Sequence, residues 1–161
     1  MMTSLDRARA FLAAKRIAVV GVSRDEKDFS RVVFRELVRR GYDVVPVNPV
    51  LNELDGRRAC ALLSDVTPPP EAALLLTPPS AAQDVVSDAI RAGVRRLWFH
   101  RGAGAGAATA AALALCEANG VEAVHDLCPF MAFPDAALVP HRLHGFFRRR
   151  FGHERDAAPR A

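Results

Sequence analysis

Short apolar runs, polar turns and stretches with apolar residues at helical spacing alternate along the first 125 residues. Positions 17–20 are Ile, Ala, Val and Val, a run without alternation that suits a strand buried on both faces. Gly21 ends that run, and the polar turn 23–28 leads into a helical pattern with Val33, Phe34, Leu37 and Val38 on one side and Arg31, Arg35, Glu36, Arg39 and Arg40 between them. Asp28 or Ser30 can cap its start, and Gly41 can close its end in the left-handed conformation. A second apolar run covers 44–47, stopped by Asn48-Pro49. Strand, helix and strand in this order form a βαβ unit that opens on a phosphate-sized turn.

The remainder continues the pattern. Positions 3–15 read as a helix in front of the first strand, with Thr3 and Asp6 spaced as a capping pair. A loop at 50–56 contains an Asp-Gly turn, and 57–62 reads as a short extended piece. After three prolines, 72–76 is a third buried strand, stopped by Thr77-Pro78-Pro79. Ser80 and Gln83 have the spacing of a capping box for a helix through Ala82, Val85, Val86, Ala89 and Ile90, closed by Gly93. Further strands are expected at 95–100 and 121–124, with a glycine-rich turn at 102–106 and an alanine-rich helix between them. Strands alternating with helices predict an α/β fold: a Rossmann-like, doubly wound, five-stranded parallel sheet in a three-layer α/β/α sandwich. The expected division is a domain at 1–140 and a basic C-terminal tail or helix at 141–161.

Composition narrows the function classes. The chain has 161 residues, half of them hydrophobic and a quarter charged, which suits one soluble domain with a full core. The formal net charge of +4 falls entirely on the last 21 residues, so the first 140 are neutral and a nucleic-acid role is disfavoured. Three widely spaced cysteines form no disulfide framework or zinc motif, and no secretory or membrane-spanning segment is evident; a cytoplasmic protein is expected.

In open parallel sheets ligands bind beyond the carboxyl ends of the strands, at the switch point. The first turn, Gly21, Val22, Ser23 and Arg24, is the expected anion seat, with Arg24 or Arg31 as the cation. The dinucleotide fingerprint is missing: Ser23 and Glu26 stand where its second and third glycines would be, and 47–48 offers no carboxylate for a ribose diol. Nicotinamide chemistry is therefore disfavoured. His100 and Cys128 lie at later strand ends, where each could contact a ligand or simply pack. His141 and His144 lack partners for a metal site, and the basic, aromatic 143–151 suits either packing or an acidic partner.

Four stretches in order carry a resemblance: Ile17-Ala-Val-Val-Gly-Val-Ser-Arg24, Gly41-Tyr-Asp-Val-Val-Pro-Val-Asn-Pro49, Leu75-Leu-Thr-Pro-Pro79 and Leu97-Trp-Phe-His-Arg-Gly102. From about residue 10 to about residue 130 the chain resembles the small bacterial CoA-binding proteins, whose Rossmann-like domain is shared with succinyl-CoA synthetase α-subunits. The resemblance implies coenzyme A or an acyl-CoA as ligand. It places the phosphates at Gly21–Arg24, with Ser30 and Arg31 also among the cofactor-binding residues, the adenosine end beside Val47, Asn48 and Pro49, and Thr77, Pro78 and Pro79 along the pocket. Val50 departs from the family's frequent Lys or Arg after Asn-Pro, leaving Arg57 or Arg58 to substitute. The function expected is a non-catalytic sensor, carrier or module, alone, as a homodimer or with a partner protein. The alternatives are a small acyl-CoA ligase-related enzyme using His100 or Cys128, or a nucleotide-binding Rossmann protein.

Overall fold

The computed structural model describes residues 1–100 and 106–135. Its centre is a five-stranded, all-parallel sheet of β1 (Arg16–Val20), β2 (Asp43–Val47), β5 (Ala72–Leu75), β6 (Arg96–Phe99) and β7 (Glu122–Val124), in the order β2-β1-β5-β6-β7. The chain moves outward from β1 to β2, then crosses back to β5 and continues in the opposite direction. The switch point therefore lies between β1 and β5, above Val20 and Leu75. Every residue of β5 and all but the first of β1 and β2 are buried, as expected for strands covered on both faces.

Two apolar clusters account for the two faces. On one, Ile17, Val19, Val44, Leu74 and Trp98 pack against α1 (Ser4–Leu12), α2 (Phe29–Arg39) and the short α5 (Pro129–Ala132). On the other, Ala18, Val20, Val45, Leu75 and Phe99 pack against α3 (Ala82–Arg91) and α4 (Ala110–Ala118). The alternation of partners along β1 shows the two-residue period of a strand feeding both cores. Trp98 is fully buried, meets Phe11 edge-on at 5.2 Å between ring centroids, and donates its indole N–H to Leu127 O at 2.9 Å.

The caps follow local chemistry, with one exception. Thr3 and Asp6 form the reciprocal capping box of α1, and Asp28 caps α2 by accepting the Ser30 amide. The expected Ser80–Gln83 box does not form. Pro78 and Pro79 start a 3₁₀ turn, Pro79–Ala81, that absorbs Ser80, and α3 begins after Ala81 without a side-chain cap. The Asp-Gly turn closes a hairpin of β3 (Glu53–Leu54) and β4 (Arg57–Arg58), with positive φ at both Asp55 (47°) and Gly56 (75°), the geometry of a type I′ turn. The extended piece expected at 57–62 is shorter: β4, then one bridge from Cys60 to Val47.

The glycine-rich turn expected at 102–106 falls, except for Gly106, outside the described residues, as does the basic tail with His141 and His144. Among the described residues no helix is long and apolar enough to cross a membrane, and no group of three or more His, Cys, Asp or Glu could hold a metal ion.

Candidate functional site

Strand hydrogen bonding continues past the strand ends and shapes the rim. Gly21 donates to Val47 O at 3.0 Å, Leu76 to Val20 O at 2.8 Å and His100 to Leu75 O at 2.9 Å. Gly21 has φ +89°, and a Cβ there would meet Leu76 C and O at 3.1 Å and Thr77 Cγ2 at 3.0 Å. Only glycine lets the chain leave β1 this close to the end of β5. The turn after it is held from below: the Ser30 hydroxyl accepts the Ser23 amide at 2.9 Å and donates to Asp28 Oδ1, while the Ser23 hydroxyl accepts the Asp25 amide at 3.0 Å. The Asn48 side-chain amide donates to Val22 O at 2.9 Å, and its carbonyl oxygen takes the Val50 amide at 2.9 Å, so one side chain joins the first turn to the end of β2.

Arg31 is only 4% exposed. Its guanidinium donates to Ser23 O at 3.4 Å and Arg24 O at 3.2 Å and forms an ion pair with Asp55. Its hydrogen bonds go to the turn's own backbone and to the hairpin. Arg24, by contrast, is an exposed cation on the turn. No hydrogen bond among the described residues takes the amides of Val22 and Arg24.

Beside the turn lies a cleft of about 610 Å³, between the ends of β1, β2 and β5 and one side of α3. Gly21, Val47, Pro49 and Thr77 line it, so the cleft brings together residues from three expected motifs. Its surface is mostly apolar, and the Thr77 hydroxyl is buried there with no hydrogen-bond partner among the described residues. Pro78 and Pro79 are exposed just beyond, in the 3₁₀ turn. Sequence reasoning missed the opposite wall, where Leu63 and, from α3, Val85, Asp88 and Arg91 contribute. Asp88 is 5% exposed and accepts from the Leu63 amide and the Ser64 hydroxyl, both at 2.6 Å, pinning the 3₁₀ turn Leu63–Asp65 to α3. A carboxylate inside the apolar stripe of Ala82, Val85, Val86 and Ala89 was the signal available for it. Arg57 and Arg58 face a separate groove beside Arg16 and Asp43.

His100 and Cys128 lie apart from this cleft. His100 stacks on Phe29 at 4.7 Å, its Nδ1 is buried without a partner, and burial pulls its pKa down to about 4. It lines a smaller cavity of about 310 Å³ with Thr109, Leu113, His125 and Asp126. Cys128 precedes α5 and packs on the α1–α2 face, where burial pushes its thiol pKa up. Cys116 is buried in α4, its pKa likewise raised by burial to about 11.

A parallel sheet with a phosphate-sized turn and an apolar cleft at its switch point defines a Rossmann-like binding domain. The chain belongs to the CoA binding domain family, which matches residues 15–134, as the four motifs implied. Among known bacterial proteins it is similar to uncharacterized protein YneT of Bacillus subtilis (strain 168), 26% identical over 115 residues, or 71% of this chain and 82% of that protein. Among solved structures it is similar to a hypothetical protein from Pyrococcus horikoshii OT3, with TM-score 0.75 and 26% identity over 84% of this chain and 93% of that one. It is also similar to the apo form of the dinucleotide forming acetyl-coenzyme A synthetase 1 of Ca. Korarchaeum cryptofilum, with TM-score 0.63 and 26% identity. That match covers 73% of this chain but 27% of the synthetase, so the shared part is one region of a larger protein.

Proposed function

We propose that this chain binds coenzyme A or an acyl-CoA at the rim of β1, β2 and β5, as a non-catalytic sensor, carrier or module. The observation that carries this reading is the juxtaposition of the Gly21–Arg24 turn with the apolar cleft of Val47, Pro49 and Thr77. The amides of Val22 and Arg24 and the Arg24 side chain suit the diphosphate, and the cleft suits the adenosine or the first part of the pantetheine arm. Ser30, Arg31 and Asn48 act behind the turn, keeping its shape before the ligand arrives, which lowers the ordering cost of binding.

The non-catalytic part of the reading is supported by the two nucleophile or base candidates. A histidine with its pKa near 4 is a weak base at neutral pH, and a buried thiol with a raised pKa is a poor nucleophile. An enzyme would turn over acyl-CoA and lose activity in His100→Ala or Cys128→Ala.

Calorimetric titration of the reduced full chain tests the proposal, with CoA, 3′-dephospho-CoA, NAD and ATP as separate ligands. Saturable binding of CoA, weakened in Arg24→Ala, is expected. Binding of NAD or ATP with none of CoA would overturn it and leave a Rossmann domain for another nucleotide.

A further inference from the structure

The tip of the β3–β4 hairpin reaches the first turn from far along the chain. Asp55 Oδ1 pairs with Arg31 Nη2 at 2.5 Å, and Asp55 Oδ2 accepts from Arg35 Nε at 2.9 Å. Arg35 extends in turn to Glu26, inside the same turn, at 3.8 Å. Arg31 and Arg35 are one helical turn apart on α2, so without a carboxylate between them their charges repel. Arg31 is also buried, and a buried guanidinium left unpaired is strongly destabilising. Asp55 therefore fixes where the Arg31 side chain sits.

The position of Arg31 decides a backbone direction. In a trans peptide the C=O and the following N–H point in opposite directions. When Arg31 holds Ser23 O, the Arg24 N–H of that same peptide is aimed away from Arg31. The preceding peptide is held in the same manner by Asn48 at Val22 O, but its N–H, on Ser23, is taken by Ser30. The Arg24 amide is thus set by Arg31, and Arg31 by Asp55.

We propose that Asp55 is the positioning residue of the anion turn, acting through Arg31 to aim the Arg24 amide at the ligand's phosphate. This rests on the reading of the turn as the phosphate seat. The hairpin is then part of the binding apparatus through Asp55 and Arg31.

The test uses the full chain carrying Asp55→Asn, because asparagine tolerates positive φ and keeps the side chain's shape. CoA affinity is expected to fall about tenfold, and the NMR order parameter of the Arg24 N–H to drop. Arg31→Lys keeps a charge but lacks the fork needed to reach Ser23 O, Arg24 O and Asp55 together, and should show both effects. In the double variant the two losses should not add. Wild-type CoA affinity and an unchanged Arg24 N–H order parameter in Asp55→Asn would overturn the proposal, as would losses that add in full. If the wild type binds no CoA, the functional reading fails by itself, and the Arg24 N–H order parameter in the two variants still decides the role of Asp55.

Discussion

Packing against Phe29 gives His100 a measurable effect on stability. In the unfolded chain its imidazole takes up a proton near pH 6.5, whereas in the fold it does so only near 4. Between these values the unfolded state binds more protons, so stability falls as pH drops from about 6.5 and the loss is complete below about 4. At about 1.4 kcal/mol per pKa unit the loss approaches ~3 kcal/mol. Urea denaturation at pH 7, 5.5 and 4 should show a shallower decline for His100→Phe than for the wild type; parallel declines would remove the assignment. Single residues were legible where they serve local backbone chemistry. Asp28 and Thr3 act through neighbours a few positions away, which the sequence displays, and Gly21 is visible as the residue that ends an apolar run. The partners of Arg31 and His100 lie on other elements: an arginine beside a phosphate-sized turn has the same sequence whether it meets a ligand or Asp55.

Elements were legible in proportion to their length. The buried strands carry unbroken apolar runs, and α2 and α3 carry clear stripes. The β3–β4 hairpin has two residues per strand, too few for any period, so its Asp-Gly turn was visible, β4 only within the longer extended piece at 57–62, and β3 not at all. The second wall of the cleft was missed because it depends on one contact between distant elements, Asp88 on Leu63 and Ser64. Removing that carboxylate leaves a buried backbone donor unsatisfied, which costs about 1–3 kcal/mol. Asp88→Ala should lower the denaturation free energy by about that amount and weaken ligand binding through a loosened Leu63–Asp65 wall. Asp88→Asn, which retains an acceptor for the Leu63 amide, should recover part of both; equal losses in the two variants would assign the effect to something other than this bond.

For the whole molecule, the alternation of strands and helices was enough to pick out the rim proposed for the ligand, because parallel connectivity puts every βα turn on the same rim. The strand order and the switch point between β1 and β5 came from the structure. A ligand that binds only the folded state stabilises it by mass action, by about 2.7 kcal/mol at a hundred times its Kd. For a domain of this size that corresponds to a rise in Tm of roughly 5–10 °C. CoA should produce such a rise in a thermal melt and NAD at the same concentration should not; the reverse pattern would redirect the search for the ligand.

Trp98 is the chain's one tryptophan, and its place in the fold decides what light can report about the molecule. Its indole sits against Phe11 and is bonded to Leu127 O, beneath α1. Intrinsic emission from this protein therefore reports whether the N-terminal helix remains seated on the sheet. It is a natural probe of unfolding.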